Sequence, residues 1–393
     1  MKYWLSLLAV AFSIHTFAQV VTPISAPVPP EIEANAYLLI DSTSNQILAA
    51  KNADQPIEPA SLTKLMTAYL VFDALQTKKI ALTQALPVSV RAWKMPGSRM
   101  FIDPKMTVRV EDLIKGMIVQ SGNDATVALA EGVGGTVEKF VGMMNERAKL
   151  LGMTKTVYKN PEGLTDAGHT TTAQDLSILA NRLMQDFPQY VPYYAIQKYR
   201  LEGSPPTNDT NRNKLLFRNA AQTGFVVDGL KTGHTDAAGY CLVATSKRAD
   251  NVVGERRLLS IVLGTSSETA RANESEKLLV WGYNAFELVK LFDTSAPLSS
   301  KVWKGTANSI ALGASNSSVL AIAVPAGTGA KVTSQLETKP LVAPLAKGQT
   351  VAELKVAING QPWQTIPLQA KQDVALAGWI GRTWDGVRMM VSK

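Results

Sequence analysis

Histidine and cysteine are almost missing from this chain: 393 residues hold three histidines and one cysteine. A single thiol excludes any intramolecular disulfide. Cys241 sits in the apolar run Gly239-Tyr240-Cys241-Leu242-Val243-Ala244, which suits a small buried hydrophobe better than a reactive thiol. Neither H-E-x-x-H nor paired C-x-x-C spacing occurs, so zinc chemistry is disfavoured and neither a metal nor a cofactor is expected. Long apolar runs are absent too, since none approaches the roughly 20 residues that a membrane-spanning helix needs. No long basic run occurs, and the formal charge of +8 is spread along the chain. That balance suits work beside anionic lipid or cell-wall polymer, and equally well ordinary solubility. Apolar side chains, by contrast, are plentiful: 46% of residues against 18% charged, enough for a sizeable core and two domains.

The first residues read as a secretory signal over 1–18. Lys2 gives a positive start, Trp4 to Phe12 an apolar stretch, and Thr16-Phe17-Ala18 a small-residue cleavage pattern before Gln19. Export is therefore expected, nucleic acid is not a partner, and a non-cysteine at Gln19 argues against an N-terminal lipid. A proline-rich lead-in over 19–32 follows. Ala36–Asp41 and Gln46–Ala49, joined by Ser-Thr-Ser-Asn, read as a hairpin. Apolar residues at helical spacing (Leu65, Ala68, Val71, Phe72, Leu75) begin a helix almost at Ser61. More helices are predicted over 110–120, 123–131, 137–150 and 172–186, then strands over 225–232, 239–246 and 258–264, then a long helix over 268–291. The pattern is α+β: an antiparallel sheet flanked by helices over 33–285. Short Val, Ile and Leu runs between turn residues make 286–372 a small all-β domain. Over 373–393, Leu376, Trp379, Ile380, Trp384, Val387, Met390 and Val391 share one helical arc, opposite Arg382, Asp385, Arg388 and Lys393. Three glycines weaken this helix, so it needs a surface: a membrane interface, or the protein's own β domain.

Three short motifs stand in order: Ser61-Leu62-Thr63-Lys64, Ser121-Gly122-Asn123 and Lys231-Thr232-Gly233. Each alone is weak, but the ordered set is of the S-x-x-K, S-D-N, K-T-G type found in serine β-lactamases and penicillin-binding proteins. A serine and a lysine three residues apart lie on one helical face. The hydroxyl is a poor nucleophile until a base takes its proton. Lysine becomes such a base near neutral pH only when burial or a second cation, here Lys231, destabilises its charged form. Ser121 is placed to relay a proton to the leaving amine, and Asn123 can hold a substrate amide. Lys231-Thr232-Gly233 closes a strand whose edge can pair with an extended substrate, and Gly233 leaves that approach open.

On these motifs, with Glu58-Pro59-Ala60 before the first and His234-Thr235-Asp236 after the third, the chain from about Ala36 onward resembles a low-molecular-mass penicillin-binding protein. The type is a D-alanyl-D-alanine carboxypeptidase with a β-rich second domain and a C-terminal amphipathic anchor. The resemblance implies an acyl-enzyme on Ser61, a peptidoglycan stem ending in D-Ala-D-Ala as substrate, β-lactams as acylating inhibitors, and a periplasmic place on the outer face of the cytoplasmic membrane. It also implies an oxyanion hole from the backbone N–H groups of Ser61 and His234, with Thr232, Gly233, Arg212 and Arg271 near the substrate and Arg271 facing its carboxylate. Gly122 in place of Asp is usual in this subfamily.

Three rivals remain. A class A β-lactamase needs a water-activating glutamate, and Glu162 in Pro161-Glu162-Gly163-Leu164 lacks the E-x-x-L-N spacing. A DD-endopeptidase would use the same motifs. A non-catalytic wall-binding scaffold would not need them intact.

Overall fold

The computed structural model describes residues 25–293, 298–314 and 319–391. The signal expected at 1–18, the start of the lead-in and Lys393 lie outside them.

Strands β1 (Ala36–Asp41) and β2 (Gln46–Lys51) form the hairpin. A short 3₁₀ turn, Ala60–Thr63, leads directly into α1 (Lys64–Gln76). The two-stranded β3 (Ala85–Pro87) and β4 (Thr107–Arg109) bracket α2 (Val90–Trp93). Then come α3 (Val110–Val119), α4 (Asn123–Gly134), α5 (Val137–Leu151) and α6 (Ala173–Asp186). After 3₁₀ turns and the short α7 (Ala220–Thr223), β5 (Val226–Thr235), β6 (Gly239–Asp250) and β7 (Gly254–Thr265) complete the sheet, and α8 (Glu268–Ala285) closes the unit.

The sheet runs β2-β1-β7-β6-β5, antiparallel throughout. Its side chains alternate between two cores, as the period of two in a strand requires. Leu38, Ile40, Cys241, Val243, Leu259 and Ile261 face the helices α1 and α3 to α6, while Tyr37, Leu39, Leu242, Ala244, Leu258 and Val262 face α8. Cys241 is fully buried, as an apolar residue would be. One buried ion pair ties this layer together: Arg256 Nε donates to Asp41 Oδ2 at 2.7 Å, with both side chains 1% exposed or less. The same guanidinium reaches the carbonyl oxygens of Phe286 and Gly282.

The helix expected over 268–291 ends at Ala285, and Phe286–Asp293 is a strand, β8. Its sequence Phe-Glu-Leu-Val-Lys-Leu-Phe also alternates, and pairing with β11 (Val319–Pro325) supplies backbone partners that outweigh its helical spacing. The remaining strands are β9 (Leu298–Trp303), β10 (Ser309–Gly313), β12 (Val332–Thr338), β13 (Leu341–Val342), β14 (Thr350–Ile358) and β15 (Gln361–Ala370). They form a second sheet, ordered β12-β14-β15-β10-β9-β13. Its core, from Val302 to Val374, is separate from the first two. Phe286, Leu288 and Ala323 pack against Leu48 and Trp281 where the two units meet, and Gln46 donates to Gln364 across the joint.

Chain pairing continues past the boundary expected after residue 372. Val374 is buried and bridges Leu345, and Ala377 N–H donates to the Lys304 carbonyl. The terminal helix α9 spans Trp379–Val391, so Leu376 precedes it. No helix among the described residues is long and apolar enough to cross a membrane.

Candidate active site

The turn that carries Ser61 begins at Pro59, and Ala60 takes a positive φ of 47°. A residue with a Cβ holds that conformation only where its surroundings enforce it. Here the neighbours are packed tightly: a Cβ on Gly163 would overlap the Ala60 carbonyl, and one on Gly233 would meet Leu62 and the Pro59 carbonyl at 3.1 and 3.2 Å. Gly233 thus sits tightly against its own protein neighbours, which adds a packing reason to the open approach expected of it. It brings β5, an edge strand, against the nucleophile turn.

Lys64, in the first turn of α1, is 2% exposed. Its Nζ lies 3.1 Å from Ser61 Oγ, 2.8 Å from Asn123 Oδ1 and 2.6 Å from the Glu162 carbonyl oxygen. Burial, opposed by Glu162 and aided by Arg212, lowers its pKa to about 7. A neutral amine at this position can accept the serine proton. Arg212 thus adds to burial at Lys64, and the repulsion between Lys64 and the second cation, Lys231, falls on Lys231.

Ser121, at φ 56° between α3 and α4, accepts from Lys231 Nζ at 3.0 Å, and the same ammonium reaches the Thr232 carbonyl at 3.0 Å. Lys231 is 3% exposed, and burial followed by the nearby Lys64, Arg212 and Arg271 drives its pKa well down. Two serine–lysine pairs are thus present; Asn123 accepts from Lys64, and its Nδ2 donates to the Pro96 carbonyl.

Ser61, Ser121, Asn123, Arg212, Thr232, Gly233, His234 and Arg271 line one cleft of about 210 Å³. Arg271 is 2% exposed; it donates to the Gly233 carbonyl at 3.1 Å and lies 3.6 Å from the Glu268 carboxylate. Arg212 is exposed and bonded to Asn208. The exposed His234 ring stacks on Tyr240 at 3.9 Å.

Several further residues support the site. The buried Asp124 carboxylate accepts from the N–H groups of Met100, Phe101 and Ile102, clamping the segment before β4 to the N-terminus of α4, where the helix dipole favours an anion. His169 is buried, with Nε2 3.0 Å from Thr63 Oγ1, and desolvation lowers its pKa to about 4. Glu58 accepts from Thr165 and Thr235, tying the nucleophile turn to β5. Asp124 and Glu58 adjoin recognisable motifs and His169 does not; Glu58 and His169 meet their partners across more than a hundred residues.

A helix-borne serine–lysine pair beside an edge strand, on a helix-flanked antiparallel sheet, is the design of the active-site serine peptidases that penicillin acylates. Comparison with known proteins narrows this class. The D-alanyl-D-alanine carboxypeptidase family profile matches residues 23–267, and that of the penicillin-binding protein 5 C-terminal domain matches 286–376. D-alanyl-D-alanine carboxypeptidase DacC of Escherichia coli is 40% identical over 92% of this chain and 89% of its own length. DacA of Haemophilus influenzae is 38% identical over 92% and 91%. The crystal structure of penicillin-binding protein 5 from Haemophilus influenzae covers 89% of this chain and 99% of its own, at 37% identity and a TM-score of 0.78. The chain belongs to the D-alanyl-D-alanine carboxypeptidase family of serine-type peptidases.

Proposed function

We propose that this protein removes the terminal D-alanine from peptidoglycan pentapeptide stems through an acyl-enzyme on Ser61. The observation that carries the reading is the buried Lys64 amine, 3.1 Å from Ser61 Oγ and with its pKa brought near neutrality. Ser61 Oγ attacks the carbonyl carbon of the penultimate residue while Lys64 takes its proton. The tetrahedral oxyanion is held by the backbone N–H groups of Ser61 and His234. As the C–N bond breaks, the leaving amine receives a proton relayed through Ser121 from the lysine pair. Water then cleaves the ester and restores Ser61. Asn123 and the edge of β5 hold the substrate backbone, while Arg271 and Arg212 favour a free terminal carboxylate, which selects a carboxypeptidase substrate over a cross-link.

The β domain serves as a stand and α9 as an interfacial anchor, placing the exported enzyme on the outer face of the cytoplasmic membrane. Supporting this are Trp379, Ile380, Trp384 and Met390, each at least 65% exposed. The deciding assay is D-alanine release from a peptide ending in D-alanyl-D-alanine, with and without penicillin. Release that penicillin abolishes supports the reading. Consumption of a cross-linked dimer in preference to the peptide would replace it with an endopeptidase.

A further inference from the structure

All the acceptors that Lys64 reaches are neutral: a hydroxyl, an amide and a backbone carbonyl. A carboxyl nevertheless shares its buried space. Glu162 is 6% exposed and lines the cleft with Ser61, yet its Oε2 is buried with no hydrogen-bond partner among the described residues. Its backbone is fixed on both sides: the carbonyl accepts from Lys64, and the following two N–H groups donate to Asn160 Oδ1 at 2.7 and 3.1 Å. The tight seat of Gly163 against Ala60 closes the remaining freedom.

We propose that Glu162 is a positioning residue for acylation, acting through Lys64: its carboxyl sets the proton affinity of the base by sharing one proton with it across the buried site. Ammonium with carboxylate, and amine with carboxylic acid, carry the same net charge. Exchange between them therefore frees the amine without adding an uncompensated charge to a low-dielectric site. Burial raises the Glu162 pKa and lowers that of Lys64, so the two forms are brought closer in energy than they would be in water. The other charges facing this pair are otherwise engaged. Asp124 is held by three backbone N–H groups, Arg212 is exposed, and Lys231 is bonded to Ser121; Arg91 and Asp166, which act on Glu162, are exposed.

An ionised Glu162 raises the Lys64 pKa, so removing it lowers that pKa. The test is the rate of acylation by a fluorescent penicillin, measured on the full chain from about pH 5 to about pH 9, a range that brackets a base titrating near neutrality. In the parent protein the rate rises with pH through about 7. In E162Q and E162N this acidic limb moves to lower pH by about one unit, a roughly tenfold relative gain at the acid end, while E162D stays near the parent. Limbs in E162Q and E162N that superimpose on the parent would overturn the proposal. So would loss of acylation at every pH in variants that melt like the parent, because that outcome gives the carboxyl a role other than tuning the proton affinity of Lys64. The inference rests on Lys64 being the base, and K64A separates the two failures. Acylation surviving in K64A sinks the reading of Lys64, whereas an inert K64A with an unmoved E162Q limb sinks only the role of Glu162.

Discussion

The two halves of this molecule treat polar groups in opposite ways. Among the described residues, every buried polar or charged side chain lies before residue 286, including Asp41, Lys64, Asp124, Lys231, Arg256 and Arg271. The core beyond it is wholly apolar, from Val302 through Leu354 to Val374. Burying an ionisable group is costly unless partners compensate it. The first half meets that cost with two kinds of arrangement. Asp41–Arg256 and Asp124 are fully satisfied and hold elements in place. Lys64 and Lys231 are held by hydrogen bonds to neutral acceptors, with no carboxylate at salt-bridge distance among the described residues, and burial makes their protons easier to remove. The second half is a stable platform with no such chemistry to support.

Breaking the chemistry of the first half gives the largest effects. Ser61→Ala abolishes labelling by penicillin, and Lys64→Ala lowers the acylation rate by about 10²- to 10⁴-fold, the range for losing a general base. Single-turnover labelling with a fluorescent penicillin measures both. An active K64A would end the distinction between satisfied and poised buried charge. Arg271→Ala comes next: kcat/KM for a peptide with a free terminal carboxylate falls about 10- to 100-fold, matching the loss of charge-assisted hydrogen bonds. Acylation by a substrate with an amidated terminus changes much less. Equal losses on both substrates would show that Arg271 only props the Gly233 carbonyl.

Packing changes sharpen the contrast through stability. Asp41→Ala strands Arg256 in the interior and costs about 3–5 kcal/mol. Ile322→Ala, in β11, leaves a cavity costing about 2–5 kcal/mol. Denaturant melts should show both losses, with penicillin labelling of the folded fraction near that of the parent. Loss of labelling on Ile322→Ala at a temperature where it is folded would couple the second core to the site.

The sequence made the first half readable because its signals are local. The spacing of Ser61 and Lys64 along one turn, and the alternation in Ala36–Asp41, can be seen without knowing what lies nearby. The Ser121–Lys231 and Asn123–Lys64 contacts are long-range, yet their motif order announces them. What stayed hidden was made by encounters with no local signature. His169 meets Thr63, Arg256 meets Asp41, and Glu162 offers a main-chain oxygen to Lys64, a role any residue type could fill. The segment Phe286–Leu291 reads as helix for a related reason: its apolar spacing satisfies both periods, and the partner strand β11 decides for a strand.

The smallest predicted effect on catalysis is the sharpest test of where the second half ends. A cut after Asp373, one residue past the boundary the sequence suggests, would remove Val374 from its place in the β core opposite Leu345, and would remove the Ala375 and Ala377 bonds to Thr306 and Lys304. A cut after Gly378 spares all of these. It removes a contact with the main body, Lys304 N–H to Asp385 Oδ2 at 2.6 Å. It also removes the exposed row Trp379, Ile380, Trp384, Val387 and Met390. Those side chains present enough apolar surface to contribute on the order of several kcal/mol if they enter a bilayer interface, at about 25 cal/mol per Å². The chain ending at Gly378 should therefore release D-alanine from a soluble peptide within about twofold of the full chain, since no buried contact of the site is touched. It should also lose co-sedimentation with anionic vesicles. The chain ending at Asp373 should do the same but melt earlier, because a buried valine has gone from the core. Vesicle binding that survives the Gly378 cut would move the anchor elsewhere on the molecule. A tenfold fall in kcat/KM would mean that the helix belongs to the folded enzyme and is no mere tether.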